Sequence, residues 1–125
     1  MLQREKIPNN SSNDQKCKLL LKEPKVRFAG IIDKMGNLIA GGLKDGIKPL
    51  EDETEIRKMF MEVALRVTTR SDFDQSLGEV EYSASRRKKV VVLSFPLGKE
   101  ILLLSTDKNV DIDKTASKIM KIFAF

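Results

Sequence analysis

The chain contains no histidine. That removes the commonest general base, the commonest metal ligand and every triad that works through imidazole. Its single cysteine, Cys17, cannot close an internal disulfide, which fits a reducing compartment. Without histidine it also cannot complete a structural zinc site of the usual nitrogen and sulfur kind. Tryptophan is absent too, and the aromatic set is six phenylalanines and one tyrosine. No apolar run approaches the roughly 20 residues that a membrane-spanning helix needs, and Met1-Leu2-Gln3-Arg4-Glu5-Lys6 holds no apolar secretory segment. Gly41, Gly42 and Gly46 are followed by no Gly-Lys-Ser/Thr and by no immediate helix start. They read as a flexible strand exit rather than a phosphate loop. These absences lead to the expectation of a cytoplasmic protein with no catalytic site, no metal and no cofactor.

What is present has the composition of a folded domain. The 125 residues are 41% hydrophobic and 33% charged, with a net charge of +5, enough material for one core. Residues 1–13, rich in turn formers from Pro8 to Asn13, read as a flexible tail, and residues 14–125 as one domain. A short helix over about 12–23 stops at Pro24. A hairpin follows over 25–42, turning at Asp33-Lys34-Met35-Gly36-Asn37. A long helix spans 51–73, with acids in its first turn and Arg66 and Arg70 late, as the helix dipole favours. Strands over 79–84, 90–95 and 100–105 lead to a C-terminal helix over 111–123. The first of these strands alternates, so Val80, Tyr82 and Ala84 share one face of an edge strand, whereas the two nearly continuous apolar runs suit interior strands covered on both sides. The order α-β-β-α-β-β-β-α predicts an α+β fold with a five-stranded antiparallel sheet and helices packed on its faces.

The long helix carries more apolar surface than one sheet face can cover. At about 100° per residue, Ile56, Met59, Phe60, Val63 and Val67 form one buried stripe. Met61, Ala64, Leu65 and Thr68 form a second face, broken mainly by Arg57. That face needs cover, either from residues 17–21 of the N-terminal helix or from a second copy of the chain. A homodimer would cover it together with the adjacent edge at Val80, Tyr82 and Ala84.

The run Arg86-Arg87-Lys88-Lys89 is the sharpest surface feature. Such a run grips phosphates or an acidic partner, or it is a solvated turn whose charges protect an exposed edge. No aromatic interleaving accompanies it, so nucleic acid is a poor fit. Glu51, Asp52, Glu53 and Glu55, and also Asp107, Asp111 and Asp113, lie where helix starts favour acids, which accounts for them without a cation. Phe28, Phe60 and Phe95 are candidates to line a small apolar pocket.

Val26-Arg27-Phe28-Ala29-Gly30-Ile31-Ile32-Asp33, then Gly36 and Leu38-Ile39-Ala40, resemble the opening hairpin of the roadblock / dynein light-chain family, a branch of the longin-like and profilin-like folds. The strand Ile101–Thr106, running through Asp107-Lys108-Asn109-Val110 into the last helix, is similar to the family's final strand and Asn-containing turn. The resemblance spans about residues 25–123, and across it the chain also resembles small uncharacterised archaeal proteins. The long 41–50 connection and the basic 85–89 turn depart from the pattern. The resemblance implies a non-catalytic interaction or scaffold module. Its sheets would pair edge to edge in a homodimer with the long helices antiparallel, and the platform would regulate or dock a small GTPase or an assembly partner, without membrane or nucleic acid. The alternatives from other classes are a small-molecule sensor of profilin-like or PAS-like fold, and nucleic-acid binding through residues 86–89.

Overall fold

The computed structural model describes residues 8–123. Helix α1 (Pro8–Leu21) leads into strands β1 (Val26–Ile32) and β2 (Leu38–Leu43). Helix α2 (Glu53–Arg70), a 3-10 turn (Ser71–Phe73) and the four-residue helix α3 (Asp74–Leu77) follow. Strands β3 (Ser83–Arg86), β4 (Val90–Leu97) and β5 (Glu100–Asp107) and helix α4 (Ile112–Phe123) complete the order. The five strands form one antiparallel sheet in the order β2-β1-β5-β4-β3. The expected fold class and element order are those observed, with α3 as one short addition.

Three boundaries differ from the sequence reading by more than two residues. Residues 8–13, expected to belong to the tail, are helical, while residues 1–7 of that expectation lie outside the described residues. Proline at the first helical position costs nothing, since the amide it lacks would have had no intrahelical partner. The long helix ends at Arg70 rather than near 73, tightening into the 3-10 turn, and it begins after a capping box. There the Asp52 carboxylate accepts from the Glu55 amide at 2.8 Å while Glu55 accepts from the Asp52 amide at 3.1 Å. The third strand covers 83–86 instead of 79–84. Its alternating sequence continues upstream, but the chain leaves β4 there.

The sheet is buried on both faces, which is why β4, β5 and β1 read as unbroken apolar runs. One face carries Ala29, Ile31, Leu93, Phe95, Leu102 and Leu104 beneath α1 and α4, which contribute Cys17, Leu20, Ala116, Ile119 and Phe123. The other face carries Ile32, Ile101 and Leu103 beneath α2, which contributes Phe60, Val63 and Ala64. Two helices therefore cover one face of the sheet and a single long helix covers the other.

Packing fixes Cys17. Its side chain is fully buried in the first cluster. Burial, with a smaller contribution from the Asp14 charge, pushes the thiol up from 9.0 to about 12. The folded state thus disfavours the thiolate. Its contribution to stability is intact below about pH 9 and is lost as pH rises toward 12. A disulfide-exchange reagent at pH 8 is expected to label Cys17 only as fast as the protein opens. Labelling within the mixing time would contradict this burial.

Candidate interaction faces

The exposed side of α2 is the first face. Met61 is 56% exposed and Leu65 is 65% exposed, although both are large and apolar. Thr68 is exposed beside them, its hydroxyl donating to the Ala64 carbonyl at 3.0 Å. Ala64 is a correction to the sequence reading, because it is 2% exposed and packs toward the sheet. The buried arc of the helix is centred on Phe60, and Ala64 lies only about 40° from it at 3.6 residues per turn. Its small side chain lets the helix sit close to the strands. Residues 17–21 do not cover the exposed stripe, since Cys17 and Leu20 are buried on the opposite face of the sheet. The intramolecular lid is thereby ruled out.

The β1–β2 turn extends the stripe. Asp33 Oδ1 accepts from the amides of Met35 and Asn37, each at 2.9 Å, and the Asn37 bond leads in holding its carboxyl below the usual range. The turn brings Gly36, at φ +84°, so close to α2 that a Cβ there would lie 3.1 Å from the Met61 Cα. Met35, 77% exposed, is its neighbour in the chain. The sequence reading takes Gly36 only as a turn former and misses this apolar extension. The signal is present in the pairing of an exposed methionine with a glycine that has to touch a helix.

The second face is the β3 edge. Arg70 ties it to α2, its guanidinium donating to the Ser83 hydroxyl at 2.7 Å. Ala84 is exposed on the strand. Val80 and Tyr82 are corrections: both precede the strand, and the Tyr82 side chain turns to the α4 side. Its ring lies 5.8 Å from that of Phe95 and its hydroxyl donates to the Asp113 carboxylate, which pushes the phenol above its usual range. Tyr82 is a strut between strand and helix, not an edge contact.

The basic turn divides similarly. Arg86 donates to the carbonyls of Lys108 at 2.6 Å and Val110 at 2.9 Å, fixing the loop before α4, so it is not free to meet an anion. Arg87, Lys88 and Lys89 are exposed. Among the phenylalanines, Phe28 and Phe60 do come together, with rings 5.8 Å apart at the wall of an apolar cavity of about 250 Å3 between the sheet and the start of α2. Phe95 lies on the other side of the sheet and takes no part.

Among the described residues no helix is long and apolar enough to cross a membrane. No group of three or more His, Cys, Asp or Glu is placed to hold a metal ion among them.

Solved structures similar to this chain include a roadblock/LC7 domain from Streptomyces avermitilis, at TM-score 0.67 and 9% identity over 89% of this chain and 91% of that one. The gliding protein MglB from Thermus thermophilus has TM-score 0.67 and 15% identity, with 92% and 90% covered. MglB from Myxococcus xanthus has TM-score 0.60 and 17% identity, with 89% and 94% covered. The fold is therefore of the roadblock type, as the hairpin and last strand implied. None of the curated proteins matches the chain in sequence. One family model matches residues 7–124, and the chain belongs to that family, the Family of unknown function (DUF6659).

Proposed function

We propose that this chain is a non-catalytic interaction module that works as a homodimer and presents a docking platform inside the cell. One observation carries this reading: an exposed apolar stripe on α2 at Met61 and Leu65 stands beside a β3 edge to which Arg70 ties the same helix. A twofold partner can cover both at once. The docked partner in this reading is a small GTPase or an assembly protein, as the roadblock resemblance implies. Light scattering after size exclusion tests the first step. A mass near twice the 14.1 kDa of one chain is expected, and a monomer at micromolar concentration would defeat the proposal.

A second reading, a small-molecule sensor, has one specific observation in its favour, the apolar cavity walled by Phe28 and Phe60. If an apolar metabolite fills it, a ligand at 100 times its Kd is expected to add about 2.7 kcal/mol of stability. A thermal-shift screen reads this as a rise of several degrees, abolished by narrowing the cavity with Ile56→Trp.

A further inference from the structure

Strand β1 slips in its pairing with β5 near its start. Val26 stands opposite Thr106 and Phe28 opposite Ser105, so Arg27 is an extra residue with no opposite number. In a regular strand consecutive side chains point to opposite faces, and a bulge of this kind re-aims one of them. Here Arg27 and Phe28 both border the apolar cavity of about 250 Å3 on the α2 side. The backbone holds the bulge in place, because the Arg27 carbonyl accepts from the Lys44 amide at 2.8 Å. The Arg27 guanidinium donates to the Lys48 carbonyl at 3.3 Å, which ties down the loop that brings Pro49, Leu50 and Glu51 to the cavity wall.

We propose that this cavity binds a small apolar α-amino acid, with its carboxylate on Arg27, its ammonium on Glu51 and its side chain against Phe28, Ile56 and Phe60. The inference rests on the sensor reading above and names the ligand class for its cavity. Among the described residues that line it, Arg27 is the one cation and Glu51 the one acid. Both are half-buried, and neither takes part in an ion pair among the described residues. The Lys48 carbonyl uses one of the five guanidinium N–H donors. The rest of that planar fork is open to a carboxylate, which arginine takes in bidentate geometry. A half-buried charge without a partner is costly. A simple acid would satisfy Arg27 and meet repulsion at Glu51, an amine would do the reverse, and a hydrocarbon would leave both unpaired. A zwitterion meets both.

The remaining walls fix the size and texture of the body. The volume falls just below the usual range for ligand sites, about 300–1,000 Å3, so the apolar part is short, on the scale of a leucine or methionine side chain. Leu38, Leu43 and Leu50 line the cavity and stay exposed. They are apolar surface that an occupant of this kind would withdraw from water.

Isothermal titration calorimetry tests this with L-leucine and L-methionine as probes. Beside them stand 4-methylpentanoate, which lacks the ammonium, and 3-methylbutylamine, which lacks the carboxylate. Leucine or methionine is expected to bind wild type at least about tenfold more tightly than either analogue, since each analogue forfeits a charge-assisted hydrogen bond. Arg27→Gln and Glu51→Gln are each expected to weaken the amino acid by about tenfold or more. Thermal melting without ligand checks that both variants are folded. Arg27→Gln is expected not to weaken the amine, and Glu51→Gln not to weaken the acid, whereas a collapsed cavity would weaken every probe. An analogue that matches the amino acid on wild type, or an amino acid indifferent to both glutamine variants, overturns the zwitterion and leaves the sensor reading standing. No binding of either amino acid at about 10 mM also overturns the proposal, and the sensor reading is then decided separately by the wider thermal-shift screen and Ile56→Trp.

Discussion

Changing Met61 and Leu65 together to glutamate is expected to convert a dimer of the 14.1 kDa chain into a folded monomer. The two side chains are more than half exposed in the isolated chain, so the substitution deletes almost no packing within it. In the proposed dimer each is covered, and covering a large apolar side chain contributes about 1.5–3 kcal/mol when complete. Half of that per residue, counted over four residues in the twofold interface, is about 3–6 kcal/mol, before any cost of burying carboxylates. A loss of that size raises Kd by two to four orders of magnitude. The helix itself is retained, because glutamate is a good helix former, and far-ultraviolet circular dichroism should be unchanged. The melting temperature will fall by the amount that dimerisation contributed and no further. A molten protein, rather than a soluble monomer, would show that these residues hold the chain's own fold together.

Gly41→Ala is expected to destabilise the fold by about 3 kcal/mol or more, from a total that for such domains is about 5–15 kcal/mol. Gly41 sits at φ +79°, and a Cβ there would lie 2.2 Å from the Ala29 carbonyl oxygen and 2.8 Å from the Gly30 Cα. Both obstacles are backbone in the adjoining strand, so neither can swing aside. Cys17 Sγ, 3.0 Å away, closes the remaining side. Gly46 is the control. It has φ +82° with nothing within 4 Å of the added atom, so Gly46→Ala carries only the left-handed backbone cost of about 1–2 kcal/mol. Urea unfolding of the two variants separates conformational strain from collision. Equal losses would show that the close approach of α1 and β1 to Gly41 is absent in solution.

The sheet was legible because its strands are buried on both sides and therefore announce themselves as apolar runs, as at Val90–Phe95. The α2 stripe was legible through helical spacing, and Met61 and Leu65 stand where that spacing put them. What spacing could not resolve was the tilt of the helix on the sheet, which decides on which side of the boundary Ala64 falls. Nor could alternation reveal where a strand stops pairing. Val80 and Tyr82 keep the period of two, yet Tyr82 is drawn away by a carboxylate, Asp113, 31 residues further on. Arg86 belongs to the same class. Its run of like charges read as one patch, and only the tertiary approach of the Lys108 and Val110 carbonyls singles it out. The start of α1 was missed because turn-forming residues dominate 8–13, while Pro8 at a helix start is as much a beginning as a break.

The two edges of the sheet are unlike each other, and this bears on how far assembly can go. Along β2, the Gly41 amide is already taken by the Asp14 carboxylate of α1 at 2.8 Å. Gly41 and Gly42, at φ +79° and +158°, also bend that edge out of regular strand geometry. An incoming strand would find there neither a straight template nor a free donor at Gly41. A sheet that grows must recruit at both ends, and at Gly41 the β2 end is hindered. In the proposed dimer, joining two copies through β3 leaves only β2 edges outside, which works against continuation into a fibre. The α1 carboxylate at the β2 edge thus works against further growth of the proposed pair, and its loss would free the Gly41 amide while the bend at Gly41 and Gly42 remained.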